Sequence, residues 1–341
     1  MSAPGASAAA GRTYLAMVRR LFWRRRLNRL ASWIVASIFF LAAGADLLAS
    51  ERPLLLHLEG ETWVLPNLTD PPELRIYDNQ LLLKEMGPED WAVFPPIPYG
   101  YATHDLDAVL APPGPEHWLG TDPSGRDVLA RLLHGSRVSL AVGLVAVTLL
   151  VGIGLLLGCL AGFYGGWIDA TVMRVVEVFL SIPSFLIIVT LLAVLAPEGW
   201  GAVLALMVVI GLTGWTSVAR LVRAEILKVK TQEFVLAARA LGSSDLRLIL
   251  RHLLPNALAP VLVAATFSVA ASILIEGALS FLGFGIPPDM ASWGGMLTEA
   301  RRHFEAWWLA IFPGLAIFIT VTAYNLLGEG LRDAIDPKLK A

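Results

Sequence analysis

Cysteine is nearly absent. Cys159 stands alone among 341 residues, which removes any intrachain disulfide and any cysteine-held metal cluster. Its position inside an apolar run reads it as a small packing residue. Charged residues are also scarce, at 16% against 56% hydrophobic, and they gather between apolar stretches of bilayer length, the mark of an integral membrane protein. Within those stretches no His, Asp and Glu cluster has ligand or nucleophile spacing. A membrane enzyme is therefore the least favoured function class, and the chain calls for no cofactor and no metal.

The apolar stretches are 30–50, 138–163, 172–196, 201–220, 257–283 and 307–327. They predict an all-α membrane protein with six transmembrane helices and both ends on one side. The division expected is a basic segment 1–29, a first helix 30–50, an external insert with an interfacial helix 51–137, a five-helix unit 138–329 holding the loop 221–256, and a tail 330–341. Arg12, Arg19, Arg20, Arg24, Arg25, Arg26, Arg29, Arg174, the seven basic residues from Arg220 to Arg251, Arg332, Lys338 and Lys340 share one side. They make 18 of the 26 Lys and Arg, whereas 51–137 has six basic against fourteen acidic residues. The positive-inside rule then makes both termini cytoplasmic. Arg19-Arg20-Leu21-Phe22 resembles a twin-arginine signal with Ala43-Gly44-Ala45 as a cleavage site. An uncleaved first span behind a basic amphipathic helix explains the same arginines and is preferred.

The charged stretch 232–255 lies between two apolar runs and reads as a docking element. Residues 231–241 are rich in Ala, Leu and Arg and favour helix, Gly242 suits a left-handed C-terminal turn, Ser243-Ser244-Asp245 suits a helix start, and Pro255 is expected to close the second helix. Two short helices on a glycine turn make a knob that a soluble partner can grip. Arg247 and Arg251, four apart, offer either a basic docking face or a solvated one.

Outside, 51–115 is long, acidic and proline-rich but carries Trp63-Val64-Leu65 and Trp91-Ala92-Val93-Phe94, so a small ordered insert with some strand is expected. It is open to two readings, a meeting point for a soluble partner or cationic substrate, and a solvated cover. Residues 122–137 fit a short helix at the membrane surface with Val128, Leu129, Leu132 and Leu133 on one side. Gly120-Thr121-Asp122-Pro123-Ser124-Gly125-Arg126-Asp127 has phosphate-loop glycine spacing, but Arg126-Asp127 replaces the Lys-Ser/Thr pair that contacts phosphate and magnesium. Nucleotide binding is not expected there, nothing else in the sequence supplies an ATP site, and any energy from ATP would have to come from another subunit.

Inside the spans, Arg174 and Glu177 are three apart and predict a mutual pair. Glu276 has no obvious local partner, so a gating or substrate-amine role stands beside a buried hydrogen-bonding one, and Asp46 reads as an interface residue. Pro183, Pro260 and Pro313 predict kinks. The external stretch 284–296, rich in Gly and Pro, is a candidate contact for a partner, and Trp293, Trp307 and Trp308 read as interface anchors.

Three segments then carry a resemblance. Trp118-Leu119-Gly120-Thr121-Asp122 with Gly125-Arg126-Asp127-Val128-Leu129-Ala130-Arg131-Leu132, the Ala237-Ala238 to Gly242 to Leu254-Pro255 loop, and Glu276-Gly277-Ala278-Leu279-Ser280-Phe281-Leu282-Gly283 with Ser292-Trp293-Gly294 resemble the membrane subunits of peptide-importing ABC transporters, from about residue 30 to the C-terminus. Glu51-Arg52-Pro53-Leu54-Leu55 and Phe94-Pro95-Pro96-Ile97-Pro98-Tyr99 in the insert look like the Yej-type permeases of oligopeptide and microcin C uptake.

The resemblance implies a type I ABC importer transmembrane fold in the bacterial inner membrane. It also implies partners: a second homologous permease, two cytoplasmic ATPase domains, a periplasmic solute-binding protein and a peptide substrate, with no nucleic acid. Its ATPase-seating loop corresponds to 232–255, with Glu233, Ala237, Ala238, Gly242, Asp245, Arg247, Arg251, Leu254 and Pro255 as the candidate coupling residues; Glu276 and Ser280 are the candidate substrate-pathway residues from the reading of the spans. One departure is plain: Leu236 stands where such loops often carry glutamate, with Glu233 one turn earlier as a substitute. The competing class, a self-contained channel or secondary transporter for a small solute, expects inverted repeats or proton relays, of which the chain shows little.

Overall fold

The computed structural model describes residues 16–74, 79–196 and 198–335. Arg12, Arg75, Asp78, Lys338 and Lys340, counted in the charge balance, lie outside the described residues. In lipid every backbone polar group needs an internal partner, so apolar runs this long fold as helices. Five are long and apolar enough to cross a bilayer: α1 (Arg26–Ala43), α2 (Val128–Tyr164), α5 (Trp200–Val229), α7 (Asp245–Phe281) and α9 (Trp308–Ile335). The sixth crossing is a bent pair, α3 (Gly166–Ser181) and α4 (Ser184–Leu195), which meet at 84°. Two short helices, α6 (Glu233–Ala240) and α8 (Trp293–Ala300), sit in the connections.

Two expected boundaries are corrected, and the kink expected at Pro183 is sharper than a bend. No separate surface helix occupies 122–137: Asp127 accepts the Ala130 N–H at 2.7 Å and starts α2 at Val128, which runs unbroken for 37 residues. Pro255 does not close the helix after Gly242. A π-helical stretch, Ile249–Leu253, precedes it, and Pro255 lies in the first turn of the stretch Leu254–Phe281, where its missing N–H is least needed. At Pro183 the kink is a full break, because the residue before proline is pushed out of the helical region and Ile182 is extended at φ −112, ψ 131. Pro260 and Pro313 lie inside continuous helices.

The centre of the bundle is the α2–α5 contact. Gly154, Gly158 and Gly162, one turn apart, face Val218, Ala219, Val222 and Ile226; a Cβ at these glycines would stand 2.6 to 2.8 Å from its nearest neighbour. Small residues at this spacing let two backbones approach closely, which is how helices associate in lipid. Cys159, beside them, is buried and unpaired. At the start of the bundle, Arg25 pairs with Asp333, and Asn28, buried, packs on Gly330 of α9.

Counting crossings puts the chain between α1 and α2 on the opposite face from α6. That insert contains a three-stranded antiparallel sheet in the order β2-β1-β3, with β1 (Leu55–Leu58) central between β2 (Glu61–Val64) and β3 (Trp91–Val93). One sheet face buries Leu56 and Leu58 with Leu74 and Leu82. The insert is thus a small folded unit.

Candidate coupling site and the polar contacts behind it

α5 ends at Val229, where Lys230 Nζ donates to the Gly162 carbonyl at 2.8 Å and ties the knob to the end of α2. Gln232, extended, opens α6. At its other end the Ser243 N–H bonds Ala238 O at 3.1 Å and the Gly242 N–H bonds Arg239 O at 2.9 Å. This is the paired closure that needs a left-handed residue after the helix, and Gly242 supplies it at φ +79. Ser244, extended, then precedes Asp245 at the start of α7.

The knob has two sides. Val235, Leu248 and Leu253 are buried in the main core beside Ile226 and Val229, so it is rooted rather than tethered. Outward, Phe234, Leu236, Leu241, Leu246 and Leu250 are exposed, Leu241 to 87%, among exposed Glu233, Asp245, Arg247 and Arg251. Ala237 is exposed, Ala238 and Leu254 are half-buried, and Pro255 is exposed. Glu233 and Leu236 are thus both on the accessible side. Arg239 lies over the Phe163 ring at 5.5 Å, a second tie to α2.

On the insert face the glycine-rich turn is a closed structure. The Asp122 carboxylate accepts the Ser124 and Arg126 N–H groups at 2.8 and 3.0 Å, and so occupies the donors a phosphate would need. Arg126 bonds Asp122 at 2.7 Å, Glu299 of α8 at 2.7 Å and Pro288 O at 2.9 Å. Arg131 donates to Tyr101 O and Pro288 O, and His117 Nδ1 lies 2.9 Å from Asp127. Burial, with Asp122 nearby, pushes the Glu299 carboxyl up to about 7, against the pull of Arg131 and Arg126. A cavity of about 810 Å³ opens beside this network, bordered by His104, Arg126, Ser280, Asp289, Glu299 and Arg302.

Glu276 is corrected on its partners. It is 0% exposed and takes hydrogen bonds from Ser139 Oγ at 3.2 Å and Ser280 Oγ at 3.0 Å. The Trp293 N–H donates to Ser139 Oγ at 3.3 Å, and Gly294 packs against Gly277 so closely that a Cβ there would stand 2.7 Å from its Cα. This joins α2, α7 and α8, and gives Glu276 the buried hydrogen-bonding place. Ser280, 4% exposed, shares that contact and borders the cavity. Two of the expected interface tryptophans are also corrected: Trp293 and Trp308 are buried, donating to Leu132 O and Thr121 O at 3.0 and 2.9 Å, and only Trp307 is exposed. The Arg174–Glu177 pair forms at 2.8 Å on the surface. Asp46 pairs with Arg137 at 2.7 Å.

Six crossings, an ordered insert on one face and a rooted knob on the other define a multi-pass membrane protein with two structured, opposed faces. The family model described as binding-protein-dependent transport system inner membrane component matches residues 154–341. The chain is 40% identical over 254 residues to the dipeptide transport system permease protein DppC of Alkalihalophilus pseudofirmus, covering 73% of this chain and 82% of that protein. It is 39% identical over 252 residues to the oligopeptide transport system permease protein OppC of Bacillus subtilis, covering 73% and 81%. To the inner membrane ABC transporter permease protein YejE of Escherichia coli it is 35% identical over 339 residues, covering 95% of this chain and 98% of that protein. A chain of the MetNI methionine ABC transporter, in an inward facing conformation, shares the fold at a TM-score of 0.50 and 21% identity, over 60% of this chain and 97% of that one. The chain belongs to the family of binding-protein-dependent transport system inner membrane components, and is a permease subunit of the bacterial inner membrane.

The Gly154-x3-Gly158-x3-Gly162 ridge was missed by sequence reasoning, although its four-residue spacing is a helix-packing signal in plain view.

Proposed function

We propose that this chain forms half of the translocation pathway of an ATP-driven peptide importer and couples it to partner ATPases through the knob 232–255. The observation that carries the reading is the knob's construction: an exposed apolar and charged face on a base fixed in the bundle core by Val235, Leu248 and Leu253. A rigid projection of this kind passes a push into the helices, whereas a tether absorbs it. ATP is hydrolysed on the partners, and Glu233, Ala237, Ala238, Gly242, Asp245, Arg247, Arg251, Leu254 and Pro255 make or shape the contact.

Both termini are cytoplasmic in this reading, supported by the 18 of 26 basic residues on the knob side. A second homologous permease completes the pathway, and a periplasmic binding protein docks on the insert face. The likeness to named dipeptide and oligopeptide permeases supports peptide cargo; the alignment with YejE runs through the insert and supports the Yej-type resemblance, which implies oligopeptides of the microcin C kind. Copurification in mild detergent should recover a second permease, ATPases and a binding protein. In proteoliposomes, peptide uptake should require all of them with ATP. Uptake by this chain alone would overturn the proposal in favour of a self-contained channel or secondary transporter.

A further inference from the structure

The sheet of the insert has one face in the insert core and one uncovered. On the uncovered face Leu55 stands opposite Val64 on one side and Val93 on the other, with Val64 64% exposed and Val93 46% exposed. The next row is Thr62, His57 and Trp91, with the His57 and Trp91 rings stacked at 6.0 Å. The sheet therefore grades from aliphatic to aromatic and polar along its strands.

The aliphatic end is the one tied to the first span. α1 stops at Ala43, and a further turn, Ala45–Leu48, carries the chain on. The Ile97 N–H bonds Leu48 O, and the Leu54 N–H bonds Val93 O, while Asn67 Nδ2 donates to Asp46 O at 2.6 Å. This last bond holds the short helix Pro66–Thr69 beside the end of α1. Leu65 and Leu68 are exposed there, as is Leu47 on the adjoining turn. Leu47, Val64, Leu65, Leu68 and Val93 are thus anchored where a membrane-spanning helix leaves the bilayer.

We propose that this surface is seated in the lipid leaflet on the insert side, with the aliphatic residues among the acyl chains and Trp91 at headgroup level. The apolar patch adjoins the outer end of the first span, where Asn67 binds Asp46 O, and the order of aliphatic, then tryptophan, then polar residues follows the polarity gradient of the interface. Lipid also explains why exposed aliphatics are tolerated on a folded domain that water would otherwise wet. The insert then stands on the membrane by one edge and keeps its acidic turn, Glu59 to Glu61, clear of it.

The test uses the full-length chain carrying Cys159→Ala, so that one introduced thiol reports alone. Leu68→Cys, Val64→Cys and, at the far end of the sheet, Glu61→Cys are labelled with an NBD fluorophore and reconstituted into phosphatidylcholine and phosphatidylglycerol vesicles. Phospholipid brominated near the top of its acyl chains should quench positions 68 and 64 at least threefold more than position 61, and aqueous iodide should show the reverse order. Equal bromolipid quenching at all three positions would overturn the proposal. So would positions 64 and 68 that both quenchers miss, since a protein surface would then cover the patch.

Discussion

Gly158 has no room for any side chain: a Cβ would lie 2.6 Å from Ala219 O and 2.7 Å from Val222 Cβ. Gly158→Val should separate α2 from α5 and cost about 1–3 kcal/mol, read as a lower unfolding temperature in detergent, whereas Gly152→Ala, with nothing within 4 Å of its Cβ position, should not lower that temperature, since alanine favours the helix. Gly242 is the opposite case, with open space around it but a φ of +79. A valine there meets backbone strain alone, about 1–2 kcal/mol, enough to re-aim α6 while the six crossings stay inserted. Gly242→Val should therefore weaken ATPase copurification or abolish peptide-stimulated ATP hydrolysis, and normal values for both would remove the coupling role. Gly242 was legible from the sequence because helix-glycine-Ser-Ser-Asp is a local signal. Of the Glu276 contacts, Ser280 four residues on was within reach of the helix period, whereas Ser139 lies 137 residues away, and one sequence carries no record of who meets whom at that distance.

Among the elements, the apolar runs located every crossing but not the helix ends. Hydropathy marks the part of a helix in hydrocarbon, about 30 Å thick, whereas α2, with 37 residues, is about 55 Å long. Its first turns pack against the chain on the insert face, Val128 with Trp308 and Leu309 and Ala130 with Ala49 and Ile97, and Asp127 rather than hydropathy sets the start. The strands of the insert were legible in outline from Trp63-Val64-Leu65 and Trp91-Ala92-Val93; their pairing order was not. α8 is held to the turn before α2 by the Arg126–Glu299 pair, and this link should depend on pH. The folded protein favours the protonated Glu299, since burial and Asp122 raise its carboxyl to about 7. The stabilisation from that proton is complete below about 4.5 and is lost as pH rises through about 7. The unfolding temperature of the wild type, measured relative to Glu299→Gln, should fall over that interval, and a difference that stays flat with pH would contradict the assignment.

For the whole molecule, composition settled the membrane class, and the crossing number settled which connections share a face. The bend at Pro183 has a consequence for the life of the chain in the cell. Along α3 and α4 only Val176, Ile188 and Leu192 are buried, so this elbow packs little against the rest of its own chain. In the proposed assembly a second permease packs on this elbow, and a chain made without it leaves that helical face against lipid alone. Its half-life when expressed alone should be shorter than in the assembled transporter, making assembly itself the proofreading step that sets how many copies survive.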